Sequence, residues 1–323
     1  MMKRFRIFLT WVLLVLAAGA ELAAAAPNIR TAWAYGRAYS NLYDMTRQFG
    51  LQLRVGKGRY DVTGNGSRMV LYPDKRYMFL NGVRVNQCFS PVMKGGATYV
   101  SRTDYTKTFT PLLGSKRAYK HPVGTIFLDC GHGGKDQGAA GKFSQEKNIT
   151  LRLGRRLAAI LRSCGYKVVM SRNSDVFLSL ERRAALQAST RSDLFISLHV
   201  NSAGDRSVSG IETYCMTPAG APSSNSTKAD ARTYNGNRYD SNNIILAWNL
   251  QRSMLSRTKA ADRGVKRARF QVLRDIRCPG ALVEIGFISN AAEERNLGSA
   301  AYIEKLARGL AEGILNYHRS LSK

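Results

Sequence analysis

Acidic side chains are scarce in this 323-residue chain, with 22 Asp and Glu against 49 Lys and Arg and a formal net charge of +27. Prolines number only 8 and hydrophobic residues reach 44%, which excludes a disordered low-complexity chain. The five cysteines (Cys88, Cys130, Cys164, Cys215 and Cys278) are too sparse for a disulfide scaffold. They also lack the C-x-x-C pairing of a cysteine-based structural zinc site, and they read mainly as small buried residues. Histidines number only 4, and no H-E-x-x-H motif places two of them on one helix face. No stretch beyond the first residues is apolar enough to cross a bilayer.

What is present begins with "MMKRFRIFLTWVLLVLAAGAELAAAAP". A basic start, an apolar run from Ile7 to Ala18 and small residues up to Pro27 follow the order of a secretory signal peptide, with cleavage expected after Ala26. The apolar run is short for a span of roughly 20 residues, so an uncleaved anchor is the lesser reading. No cysteine follows it to carry a lipid. The expected product is exported, in the periplasm, the cell envelope or the medium.

The positive charge is not confined to one tail. Between Pro27 and Lys120, 16 Lys and Arg face 4 Asp. Such a field draws polyanions. Nucleic acid, an acidic envelope and simple solubility all satisfy it, and charge alone does not decide among them.

Residues 27–113 read as a small β-rich domain. "RMVLYP", "RYMFLNGVRV" and "ATYVSRTD" are strand-like and separated by turn formers, with a helix expected over "AYSNLYDMTRQFGL". Residues 114–122 read as a linker. From Thr125 strands and helices alternate, which implies an α/β layered fold over 123–320. "TIFLD", "YKVVMSR", "DLFISLHV", "IETYCM", "RFQVLRD" and "ALVEIGFIS" are the expected strands. Helices are expected after Ser144 (the N-cap), over "LSLERRAALQAS", over "IILAWNLQRSMLSR" and at the end of the chain, where Ile303, Leu306, Ala307, Leu310, Ile314 and Tyr317 share a face.

In open α/β sheets, sites gather beyond the carboxyl ends of the strands. His132 follows "TIFLD", His199 ends "DLFISLH", and Glu284 interrupts an apolar strand where desolvation demands a partner. Glu146 lies in the first turn of the helix after the glycine-rich "CGHGG". Singly, each has a plain structural explanation: a core histidine, or a first-turn glutamate facing the helix dipole. Together, two imidazoles and a carboxylate make a catalytic zinc set, and a second carboxylate supplies the acid–base group for amide hydrolysis.

"IFLDCGHGGKDQGAAG", "EKNITLRLGRRLAAIL", "SRNSDVFLSLERRAAL", "SDLFISLHVNSA" and "ALVEIGFISN" resemble, in order, the motifs of zinc-dependent N-acetylmuramoyl-L-alanine amidases of the type 3 family. The resemblance implies a twisted mixed, mostly parallel sheet flanked by helices. It also implies Zn2+ on His132, Glu146 and His199, and Glu284 as the catalytic acid/base. The implied substrate is the amide between N-acetylmuramic acid and L-alanine in peptidoglycan, cut in wall remodelling or daughter-cell separation. Where members commonly carry Ala-Asn after Arg183, this chain has Gln187-Ala188, a departure expected to touch helix packing. Members held inactive until an activator arrives carry an inserted helix over the zinc. The loop "TPAGAPSSNSTKADARTYNGNRYDSN" is polar and turn-rich, so an uncapped site is expected and no activator is identified.

The segment "FLNGVRV", Pro91, "GGATYVSRTDY" and "PLL" resembles, more weakly, the repeat named after the copper amine oxidase N-terminal domain; the segment contains no histidine, and no copper chemistry is implied. Arg274, Arg267 and Asn201 are the candidate substrate contacts, chosen by charge and position near the rim. A zinc peptidase acting on stem peptides, a non-catalytic wall-binding protein and a nucleic-acid binder are the rival readings.

Overall fold

The computed structural model describes residues 28–115 and 119–322. The expected signal peptide, 1–26, lies outside the described residues, as does part of the expected linker. No helix among the described residues is long and apolar enough to cross a membrane.

The N-terminal region is β-rich, as expected. It comprises β1 Thr31–Ala34, β2 Arg37–Asn41, α1 Leu42–Gln48, β3 Gln52–Gly56, β4 Arg59–Gly64, β5 Ser67–Leu71, β6 Tyr77–Leu80, β7 Val83–Asn86, β8 Val92–Lys94 and β9 Ala97–Ser101. Two of its tight hairpins turn on Asn65-Gly66 and Asn81-Gly82, with all four residues at positive φ. That backbone matches the twist of the flanking strands, which is why Asn-Gly stands there. The expected helix over 38–51 is shorter than its polarity suggested, because 37–41 pairs as β2 and the Asn41 side chain caps α1 by accepting from Asp44 N. Helical pieces α2 Arg102–Asp104, a π-helical turn Tyr105–Phe109 and α3 Thr110–Leu113 follow, at the end of the expected β-rich domain, where the sequence suggested only the end of a strand.

The remainder alternates: β10 Thr125–Cys130, α4 Glu146–Ser163, β11 Lys167–Met170, α5 Leu180–Ser189, β12 Leu194–Asn201, β13 Ile211–Met216, β14 Ala221–Pro222, β15 Ala229–Asp230, α6 Asp240–Thr258, β16 Asp262–Ala268, α7 Gln271–Arg274, β17 Gly280–Phe287, α8 Ala291–Gly298 and α9 Ala300–Ser322. The expected strand "RFQVLRD" is a correction. Its centre is α7, and the ladder runs one segment earlier, through β16, whose "DRGVKRA" is too charged to read as a strand.

The main sheet runs β11-β10-β12-β17-β13-β16-β7-β6-β5-β4-β3. Strands β11, β10, β12 and β17 are parallel, whereas β13 is antiparallel to β17. Helices α4, α6 and α9 pack on one face, against Ile126, Leu128, Ile196, Leu198, Val283 and Ile285. Helices α5 and α7 cover the other, where Phe127, Phe195 and Leu282 point. Burial on both faces explains the nearly continuous apolar runs.

The N-terminal region is not set apart from the rest. Strand β7 pairs in parallel with β16 at Val85 and Val265, so β3–β7 continue the sheet, and Met69, Met78 and Val85 share a core with α6 and α9. Arg267 is part of this junction. It is fully buried and donates to Lys107 O (2.8 Å), Thr108 Oγ1 (2.9 Å) and Met216 O (3.4 Å). Its expected role as a substrate contact is therefore overturned: the strand turns Arg267 inward, where carbonyl oxygens of the helical stretch meet its guanidinium.

Candidate active site

The rim at the carboxyl ends of β10, β12 and β17 is assembled by register. His199 and Glu284 are direct partners across the β12–β17 ladder. His132 follows β10, which pairs with β12 on its other side. Facing atoms of His132, Glu146 and His199 all lie within 4.8 Å of one another. Glu146 Oε1 is 3.2 Å from His132 Nε2 and 2.9 Å from His199 Nδ1, and also accepts from Val200 N at 2.9 Å. Its other oxygen accepts from Ala139 N at 2.8 Å. Burial pushes this carboxyl upward, but hydrogen bonds from His132 and His199 outweigh it and hold Glu146 well below the usual range. The group is thus an anion where an ion would need one. The donor set, two imidazoles and one carboxylate, suits a divalent metal with a position left open.

The glycines around these ligands answer to close packing. A Cβ on Gly131 would lie 2.5 Å from the His199 ring, and one on Gly138 would lie 2.6 Å from both Glu146 Oε2 and the His132 ring. His132 itself takes φ +61°, followed by Gly133 and Gly134, also at positive φ. The sharp turn at "CGHGG" is therefore shared by the histidine. Gly131→Ala is expected to weaken divalent-metal affinity about 10- to 100-fold, read by competition with a chromophoric chelator. Unchanged affinity would show that His199 has room to move.

Several supporting residues gave no sequence signal. Asp136 Oδ2 sits 2.8 Å from His132 Nδ1, fixing the ring so that Nε2 faces Glu146. Buried Arg183 pairs with Asp129 and donates to the carbonyls of Cys130 and His132 (2.7 Å each), while Ser197 Oγ holds the other Asp129 oxygen at 2.9 Å. Arg172 donates to the carbonyls of Cys130, Gly131 and Lys147. Glu294 anchors the loop before α4 by accepting from Lys142, Phe143 and Ser144 backbone N–H groups. Ser144 is thereby occupied, and the N-cap is Gln145 rather than the serine the sequence suggested. Cys130 points away from the ligands, into α4. A Cβ on Gly154 would fall 2.3 Å from its sulfur, and burial pushes its thiol up to about 12. Gln187 is buried and ties α5 to the approach of β17 through Arg277 N and Cys278, a packing role as expected.

Glu284 is half-buried, with Oε2 lacking a hydrogen-bond partner among the described residues. Burial raises its carboxyl to about 7; His199 opposes the shift, and Glu146 and Glu212 add to it. Glu212 is its register partner on β13. Fully buried, Glu212 meets Arg263 (3.1 Å), the Lys266 ammonium, Tyr214 OH (2.7 Å) and the Asn201 amide (2.8 Å). A glutamate inside "IETYCM" carried the same signal that singled out Glu284, an acid in an apolar strand. Asn201 thus lies near the rim with its amide engaged by Glu212. Arg274 stacks over Tyr234 at 5.4 Å, in the short helix whose Val272 lines the site cavity. That cavity, about 330 Å³, is bounded by His132, His199, Arg183, Phe177, Leu180 and Val272.

The sequence profile described as N-acetylmuramoyl-L-alanine amidase matches residues 126–316, well over half of the chain. The chain belongs to the N-acetylmuramoyl-L-alanine amidase family. It is 36% identical over 214 residues to the amidase LytC of Bacillus subtilis (strain 168), covering 65% of this chain and 39% of LytC. An uncharacterized Bacillus subtilis protein, YqiI, is 37% identical over 194 residues, covering 60% of this chain and 84% of YqiI. Among solved structures, the catalytic domain of the amidase CwlV from Bacillus (Paenibacillus) polymyxa var. colistinus aligns with TM-score 0.52 and 29% identity, covering 60% of this chain and 98% of CwlV's. The amidase fold thus accounts for the part from β10 onward, and the joined strands β3–β7 lie outside the matched residues.

Proposed function

We propose that this amidase is an exported zinc hydrolase that cleaves the amide joining the lactyl group of N-acetylmuramic acid to L-alanine in peptidoglycan. The observation that carries the reading is the register pairing of His199 with Glu284 beside a cluster of three potential metal ligands, His132, Glu146 and His199. His132, Glu146 and His199 would hold Zn2+, which when bound supplies Lewis acidity and an acidified water. The chain's own residues do the rest. Glu284, unpartnered at Oε2 and raised towards neutrality, accepts a proton from the attacking water and returns it to the departing L-alanine nitrogen. Asp136 and the carbonyl clamps of Arg172 and Arg183 keep the ligands in place. Phe177, Leu180 and Val272 give one side of the cavity an apolar wall.

The segment 217–242 supports an uncapped site. It forms the short β14–β15 ladder and a 3-10 turn at Asn235–Tyr239, and none of its residues bounds the cavity. Product analysis on purified sacculi tests the whole reading. Release of intact stem peptides with a free L-alanine amine is expected, lost with EDTA and restored by Zn2+. Cut cross-links with intact muramoyl amides would instead establish the peptidase.

A further inference from the structure

One cross-strand row leads from the catalytic rim to the far edge of the N-terminal region. His199 pairs with Glu284, Glu284 with Glu212, and Glu212 with Gly264. Because Val265 pairs with Val85, Gly264 stands beside Arg84, and its missing side chain is what admits Arg84: a Cβ there would lie 2.9 Å from Arg84 Cγ. The row then continues through Arg84–Phe79, Phe79–Val70, Val70–Asp61 and Asp61–Arg54. Residues paired across a ladder point to the same face. Glu284 and the outer face of β3–β7 therefore lie on the same side of one continuous sheet.

That outer face has a definite chemistry. Tyr72, Tyr77 and Phe79 are half-exposed and form an aromatic group with ring centroids 5.8–6.4 Å apart. The Arg84 guanidinium lies 4.3 Å over Tyr77, with its Nε unpartnered among the described residues. Beyond them Arg54, Lys57, Arg59 and Arg68 line a concave trough of about 720 Å³, in which the one acid, Asp61, is paired with Arg59. Arg54, Lys57, Arg59 and Arg68 are all exposed. From β17 to β3 there are seven inter-strand steps in the sheet order, which at about 4.8 Å each span about 34 Å.

We infer that the outer face of β3–β7 is a docking tract for the peptidoglycan strand whose amide is cut at Glu284, a reading that rests on the proposed amidase function. Aromatic faces suit the apolar faces of sugar rings, and guanidinium groups pair in a bidentate manner with stem-peptide carboxylates. A bare phosphate polymer would use the arginines and leave the aromatic group without a task. The tract holds the strand; the cavity at His132 and His199 selects the bond.

The test uses the full chain and two substrates: a disaccharide carrying one stem peptide, too short to reach β3 from Glu284, and long glycan strands bearing the same peptide. Arg54→Glu with Arg68→Glu is expected to raise KM on long strands by about tenfold or more and to leave the short substrate within about twofold. The Lys pair at the same positions should stay close to wild type. Co-sedimentation with long strands, reading binding without turnover, should show the same loss. An unchanged KM on long strands, or an equal loss on both substrates, would overturn the tract. Duplex DNA competing as strongly as glycan strands of equal charge would overturn it as well, in favour of a general polyanion surface. If wild type cleaves neither substrate, the amidase reading fails, and co-sedimentation still decides the tract.

Discussion

Glu284→Gln is expected to lower kcat by about 10²- to 10⁴-fold while the protein keeps its metal, because the amide can neither accept nor return a proton. Metal content by mass spectrometry of the native protein and turnover on sacculi read the two halves separately. Loss of metal together with activity would make Glu284 a ligand. A second consequence concerns stability. Burial raises the Glu284 carboxyl from its ordinary 4.5 to about 7. Below pH 4.5 the group is protonated in both folded and unfolded chains and costs nothing. Between 4.5 and 7 the folded protein retains a proton that the unfolded chain has released, so stability falls as pH rises; above about 7 the cost is constant. Gln removes it. Metal-free Glu284→Gln is therefore expected to melt higher than metal-free wild type at pH 8, with the gap closing near pH 4. Equal melting differences at both pH values would show that the carboxyl is not desolvated.

The largest loss of stability is expected from Arg183→Ala. Among the described residues the substitution leaves fully buried Asp129 with only Ser197 as a side-chain partner, and it takes a donor from the carbonyls of Cys130, His132 and Leu178, of which Cys130 keeps Arg172. Breaking a buried pair from one side costs about 3–5 kcal/mol. Urea denaturation should show that loss, together with weaker metal binding, because the Cys130–His132 backbone is what Arg183 clamps. Arg183→Ala combined with Asp129→Asn should recover part of the stability, since no buried charge is then stranded. A double variant no more stable than the single one would mean that the carbonyl contacts, rather than the ion pair, carry the effect.

These two residues mark how unevenly the site can be read in the sequence. Glu284 is legible because an acid among Leu282, Val283, Ile285 and Phe287 violates the strand's own pattern. Glu212 violates its strand in the same way and was open to the same reasoning. Asp136, Arg172 and Glu294 are invisible, since a polar residue in a turn or on a helix is ordinary until its partner, as many as 152 residues away, is known. Arg267 shows the opposite error. A basic residue near the expected rim reads as a substrate contact, but only packing decides whether its guanidinium meets solvent or buried carbonyls.

The sequence by itself determined most of the α/β alternation and singled out the four residues that converge on the rim, while the mostly parallel order of the core strands was implied only by the resemblance of its ordered motifs. Periodicity and polarity are local properties, and the ordered motifs carry the rest. Only the tertiary structure decided that β7 would pair with β16 and fuse the N-terminal strands to the catalytic sheet. Strand partners separated by 180 residues are chosen by backbone hydrogen bonding and shared burial, which no local pattern records. That single pairing places a cationic, aromatic face in line with Glu284.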